Sequence, residues 1–175
     1  MIRTATATDL PAIARLHVLS WQTAYSGVVP HKILASRNVN GSLSGWRSTL
    51  KSYPDNLAVA LDGDREFIGF CCSGPVVDTK RSGPFDFEIY GLHVNPSFHK
   101  QGIGTALITH SFNRIRSLGL CRAIVWTFEG HIHSRRFYEK HGGTVVNNAV
   151  WEVGAHKINE VAYGWAVSSL KHEAA

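Results

Sequence analysis

The stretch whose residue types and spacing most plainly carry chemistry is Asn95-Pro96-Ser97-Phe98-His99-Lys100-Gln101-Gly102-Ile103-Gly104-Thr105. Two glycines, Gly102 and Gly104, open a predicted helix directly after a basic loop that follows a strand. Glycine lets a ligand approach the backbone, and the first amides of a helix have no intrahelical acceptor. Together with the helix dipole they make an anion site suited to a pyrophosphate, to which Lys100 adds a point charge. A dinucleotide-binding Gly-x-Gly-x-x-Gly loop is excluded, because its third glycine position is Leu107. A Walker-type loop needs Gly-Lys, which occurs nowhere in the chain. Gly41-Ser42-Leu43-Ser44-Gly45 is no nucleophile elbow, since Leu43 occupies the serine position. His131 and His133 lack a third ligand at recognisable spacing, so no metal is expected.

The elements that must position this loop are legible in the hydrophobic pattern. Thr8 reads as an N-cap with Pro11 early in the next turn, and Ile13, Leu16 and Leu19 predict a helix to about Ser20. Gly27 and Pro30 break it, and a less regular segment is expected to about Ser52. Asn56–Ala60 and Glu66–Ser73 read as strands around the Asp62-Gly63-Asp64 turn. Gly74, Pro75, Gly83 and Pro84 bracket a loop, and Phe85–Val94 is a strand ended by Asn95-Pro96. Gly102–Leu118 is the best helix, with Ile103, Leu107, Ile108, Phe112, Ile115 and Leu118 on one apolar face. Cys121–Phe128 is a nearly unbroken apolar run, as expected of a strand covered on both faces. A short helix from Ile132 to His141 ends at Gly142-Gly143, and strands Thr144–Val153 and Ile158–Val167 flank a Gly154–Lys157 turn. The order is that of one mixed α/β (α+β) domain.

A length of 175 residues is enough for one domain with a proper core. Hydrophobic residues make up 44% and charged residues 18%, which excludes disordered, collagen-like and coiled-coil chains. The net charge of +5 favours anionic partners, and nucleic acid, a membrane surface or a phosphate-bearing cofactor all fit that sign. The basic residues are scattered, without the helix stripe of a nucleic-acid binder. No apolar run approaches the ~18 residues of a membrane span, and no signal-peptide core follows Met1. Three cysteines, Cys71, Cys72 and Cys121, form no disulfide framework and fit a reducing cytoplasm.

The run Glu88–Pro96 continuing through Gln101-Gly102-Ile103-Gly104-Thr105-Ala106-Leu107 resembles the signature of the GNAT family of acyl-CoA N-acetyltransferases. The family pattern, Gln/Arg-x-x-Gly-x-Gly/Ala at a helix start, has His99 in its first position here. Arg135–Gly143, containing Phe137-Tyr138-Glu139-Lys140, resembles the family's second landmark, with His131 where an Asn usually stands. The resemblance spans essentially residues 1–175. It implies a single domain with a central twisted mixed sheet flanked by helices, acetyl-CoA as cosubstrate, and acetyl transfer to a small-molecule or peptide amine.

On that resemblance the pantetheine pairs with Leu92, His93 and Val94. The pyrophosphate lies on the amides of Gln101, Gly102, Ile103, Gly104 and Thr105, with His99, Lys100, His131, Ser134, Phe137 and Tyr138 completing the cofactor contacts. Tyr138 is the candidate acid for the departing thiolate, Glu88 the candidate base, and the Val94 amide the oxyanion donor. His93 is an alternative base, placed by alternation on the opposite strand face from Glu88. Trp21 and Tyr25 resemble a segment that lines the acceptor side in one branch of the family, and the segment from Gly27 to Pro54 is expected to select the acceptor. Two other readings remain: a CoA-binding regulatory module without turnover, and a basic nucleic-acid-binding domain. Homodimers are common in the family, and the sequence leaves the oligomeric state open.

Overall fold

Seven strands build one mixed sheet in the computed structural model, which describes residues 1–167. The strands are β1 (Ile2–Thr4), β2 (Leu57–Leu61), β3 (Phe67–Pro75), β4 (Phe87–Val94), β5 (Arg122–Phe128), β6 (Thr144–Val153) and β7 (His156–Ala166). Their order is β1-β2-β3-β4-β5-β7-β6. Pairing between β4 and β5 is parallel, while β1–β2, β2–β3, β5–β7 and β6–β7 are antiparallel. The helices are α1 (Leu10–Ala24), α2 (His31–Ser36), α3 (Val39–Ser52), α4 (Thr79–Ser82), α5 (Ile103–Ser117) and α6 (Ile132–Lys140). The chain gathers into two compact units. One comprises Met1–Ser73 with Gly91–His110, and the other Gly74–Tyr90 with the described residues from Ser111 onward.

In the first unit, Leu10, Ile13 and Leu16 of α1 bury against Leu57, Val59 and Leu61 of β2 and Phe70 and Cys72 of β3. The segment expected to be irregular holds two helices instead, α2 and α3. The polar run Asn40-Gly41-Ser42, with Ser44 and Gly45, has low helix propensity and hides the period. Leu43, Trp46 and Leu50 nevertheless recur at i, i+3 and i+7 and pack on the α1–β2–β3 core. Asn38 caps α3 by accepting from the Gly41 amide at 2.9 Å.

At the start of α1, Thr8 is not the N-cap. Asp9 organises the turn by accepting from the Thr6 amide at 2.7 Å and from both terminal nitrogens of Arg3 at 2.8 Å. Arg3 and these hydrogen bonds hold the Asp9 carboxyl down at about 2. A depressed carboxyl pKa contributes stability that is fully present above the unfolded value near ~3.9 and is lost as pH falls toward about 2. Asp9→Asn is therefore expected to cost about 1 kcal/mol near neutrality, discounted because the Arg3 side is open to solvent. Chemical denaturation should show this difference shrinking between about pH 4 and pH 2; a difference constant across that window would refute the pairing's contribution.

In the second unit, Ala123, Ile124 and Val125 of β5 are fully buried between β4 and β7, as the apolar run requires. The hairpin turn is shorter than expected, since Val153 pairs with His156 and only Gly154-Ala155 lie between them. A Cβ on Gly143 would come within 2.7 Å of the Trp165 ring and 2.9 Å of the Tyr138 carbonyl oxygen, so the end of α6 seats on β7 only with glycine there. Leu107 and Ile108 of α5 are buried in the first unit, and Phe112 and Ile115 in the second. Leu118 lies past the helix end and is 54% exposed, so it leaves the apolar face the sequence assigns it to. No helix among the described residues is long and apolar enough to cross a membrane. Cys71 and Cys72 are buried and Cys121 is exposed.

Candidate active site

In the first unit, the candidate anion-binding turn begins where β4 ends. The Asn95 amide donates to the Ile68 carbonyl at 2.8 Å, which ties the strand end to β3. Its side-chain oxygen accepts from the Ser97 amide at 3.1 Å and starts the Pro96–Phe98 turn. His99 then folds back, its Nε2 lying 3.0 Å from the Val94 carbonyl oxygen. Lys100 adopts φ +61° and Gly102 φ +83°, two left-handed turns that swing the chain into α5. The helical ladder opens with the Ala106 amide donating to Gly102 at 2.9 Å. A Cβ on Gly102 would meet no atom within 4 Å. An exposed glycine, an adjacent cation and a fifteen-residue helix behind them fit a pyrophosphate-bearing ligand.

Leu92, His93 and Val94 are half-buried at the end of β4, and Ile103, Gly104 and Thr105 form the first turn of α5. The His93 ring stacks on Phe70 at 4.9 Å and meets His17 edge-on at 5.4 Å. His17 was not legible as a site neighbour, because α1 alone gives no sign of what packs on it. Its Nδ1 lies 3.0 Å from the Ser42 hydroxyl, and burial, aided by Arg37, presses its pKa down to about 4. Trp21 meets Tyr25 edge-on at 4.8 Å, and the Arg37 guanidinium lies 3.8 Å over the Trp21 ring. Beyond them a cavity of about 800 Å³ opens along Gln22, Ser26, Val28, Val29, His31 and Leu34.

The second unit holds Glu88 and Tyr138. Glu88 is half-buried on β4, and burial pushes its carboxyl up, with Arg81 pulling it down and Asp78 and Glu160 pushing it up again. Tyr138 is only 6% exposed, its ring 5.9 Å from those of Tyr163 and Trp165. Beside it the Tyr163 hydroxyl donates to Glu139 at 2.6 Å and accepts from Arg135 Nε at 3.1 Å, a network that fixes α6 to β7. His131 stands at the N-terminal end of α6 with Nδ1 2.8 Å from the Ser134 hydroxyl, and burial lowers its pKa. Phe137 is half-buried and packs edge-on against Tyr138 at 5.4 Å. Among the described residues no group of three or more His, Cys, Asp or Glu is placed to hold a metal ion.

Residues 18–143 match the acetyltransferase (GNAT) family profile. The "uncharacterized N-acetyltransferase YuaI" of Bacillus subtilis (strain 168) is 29% identical over 172 residues, covering 97% of this chain and 95% of its own. The probable N-acetyltransferase Rv2775 of Mycobacterium tuberculosis is 27% identical over 146 residues, covering 79% and 76%. Among solved structures, an N-acetyltransferase from Staphylococcus aureus Mu50 aligns with a TM-score of 0.74 over 95% of this chain and 98% of its own, at 16% identity. YncA, a putative acetyltransferase from Salmonella typhimurium solved with acetyl-CoA, aligns with a TM-score of 0.72 over 100% and 96%, also at 16% identity.

Proposed function

This chain belongs to the acetyltransferase (GNAT) family, and from that premise we propose that residues 1–175 form one domain that moves an acetyl group from acetyl-CoA directly to a primary amine of a small molecule or peptide. The observation that carries the reading is the turn opening α5, where Lys100 and Gly102 both take positive φ. The acetyl-CoA printed for the Salmonella typhimurium neighbour supports the same cosubstrate here. We assign its contacts to Leu92, His93, Val94, the His99–Thr105 turn, His131, Ser134, Phe137 and Tyr138. Trp21, Tyr25 and the cavity of about 800 Å³ are assigned to the acceptor, a volume in the range of small-molecule sites. Three cysteines without a disulfide framework support a reducing cytoplasm, and nothing in the reading calls for a metal, a nucleic acid or a membrane.

Acetyl-CoA, when bound, supplies the acetyl group as a thioester and departs as the free thiol. An alkylammonium with a pKa near ~10 cannot attack until it loses a proton. Glu88 accepts that proton, and burial makes its carboxylate a stronger base than an exposed one. The Val94 amide donates to the carbonyl oxygen as negative charge develops there. The Tyr138 hydroxyl protonates the leaving thiolate, and the proton still on the attacking nitrogen passes, directly or through water, to the Tyr138 phenolate as the amide forms, which restores the phenol.

A screen of amines, amino acids and peptides monitored by free-thiol release tests the activity, and absence of release with every acceptor class would favour the CoA-binding regulatory module. For the loop, Gly104→Val is expected to weaken acetyl-CoA binding at least tenfold, about 1.4 kcal/mol, with the fold retained. Calorimetric titration giving the wild-type dissociation constant would remove the pyrophosphate from this turn.

A further inference from the structure

Arg81 lies on α4, in a segment the sequence presents only as a loop between strands. We propose that Arg81 is a positioning residue for Glu88: clamped between Trp126 and Glu160, it fixes a positive charge on the sheet face from which Glu88 projects. The inference rests on Glu88 acting as the base.

The register places these groups together. Glu88 pairs with Ile124 across the parallel β4–β5 ladder, and paired residues share a face. Ile124, Trp126 and Phe128 alternate onto that face along β5, and Phe128 pairs with Glu160 of β7. The Arg81 guanidinium sits 4.0 Å over the Trp126 ring, and its Nη2 donates to Glu160 Oε2 at 2.6 Å. Its backbone is held as well. The Arg81 amide donates to Asp78 at 3.0 Å, and its carbonyl accepts from Asn147 of β6 at 3.1 Å.

The clamp is a costly arrangement for a purely structural ion pair. Arg81 Nε and Trp126 Nε1 are both buried without a hydrogen-bond partner, and orphaned donors of this kind are destabilising. Stability alone gives little reason to keep them. The charges whose fields reach Glu88 are those of Arg81 and Asp78 from the α4 segment and of Glu160 from β7. Asp78 is occupied in capping α4 and Glu160 in holding Arg81, so Arg81 is the cation that opposes burial and keeps Glu88 able to accept a proton.

The test is a carbon-13 carboxyl NMR titration of Glu88, assigned by its loss in Glu88→Gln, and it needs no acceptor. Arg81→Met is expected to raise the Glu88 midpoint by about one pH unit. Glu160→Gln, which removes a neighbouring negative charge and frees the guanidinium, is expected to lower it. Opposite shifts are a signature that loosened packing does not produce. Midpoints unchanged in both variants, or moved in the same direction, overturn the proposal. Should Arg81→Met fail to fold, Arg81→Gln takes its place with the same rise expected, and a midpoint it leaves unchanged overturns the proposal.

With acetyl-CoA and the best amine from the thiol-release screen, the acidic limb of kcat/KM should follow the same two directions. A Glu88→Gln enzyme with a wild-type pH profile removes the base assignment. The NMR shifts still report in that case whether Arg81 controls the Glu88 carboxyl.

Discussion

Turnover of Tyr138→Phe is expected to fall by about 10²- to 10⁴-fold, the usual worth of general acid catalysis, with acetyl-CoA affinity little changed. The ring contacts with Tyr163, Trp165 and Phe137 survive the substitution, since only the hydroxyl is removed. The bonds from Tyr163 to Glu139 and Arg135 hold α6 to β7 in the variant as well. Thermal unfolding therefore serves as the control and is expected to move only slightly. Single-turnover kinetics, which isolate chemistry from product release, are the deciding measurement. Wild-type single-turnover rates would reassign Tyr138 to core packing, a role that its burial at 6% exposure also suits.

The second large effect is expected at Glu88. Glu88→Gln keeps the shape and hydrogen-bonding capacity of the side chain but cannot accept the ammonium proton. Turnover near pH 7 should drop by about 10²-fold. It should recover partly as pH rises toward the amine's own pKa near ~10, because free amine then forms without help. The sign for the wild type follows from burial, which raises the Glu88 pKa, so its acidic limb should lie above that of an ordinary glutamate. Initial rates across about pH 4 to 10 check both statements. A mutant profile parallel to the wild type would turn attention to His93, whose ring is stacked on Phe70 and faces His17.

Reading the sequence located the elements wherever hydrophobic period and turn chemistry agreed. Strand β4, the Asn95-Pro96 stop, helix α5 and its two opening glycines are local features, because strand alternation, the missing proline N–H and the freedom of glycine act within a few residues. Helix α3 shows the limit. Glycines and serines argue against it locally, and it is held by burying Leu43, Trp46 and Leu50 on a surface made by α1, β2 and β3. Strand β1, three residues long, has too little pattern to read and takes its identity from pairing with Ala58, Val59 and Ala60.

The candidate site divides along the same line. The glycine turn that opens α5 is singled out by residue types and spacing, whereas Glu88 and Tyr138 are singled out by the resemblance to the GNAT family. Only the folded chain sets the environment of Glu88. Arg81 precedes it by seven residues and Glu160 follows it by seventy-two; sheet register sets the face of Glu160, and the Arg81–Glu160 bond fixes Arg81 beside it. Burial and neighbouring charge, which decide whether a carboxyl can act as a base, are sums over such distant contacts. They belong to the tertiary structure, because no period along a single strand records what the next strand places opposite it.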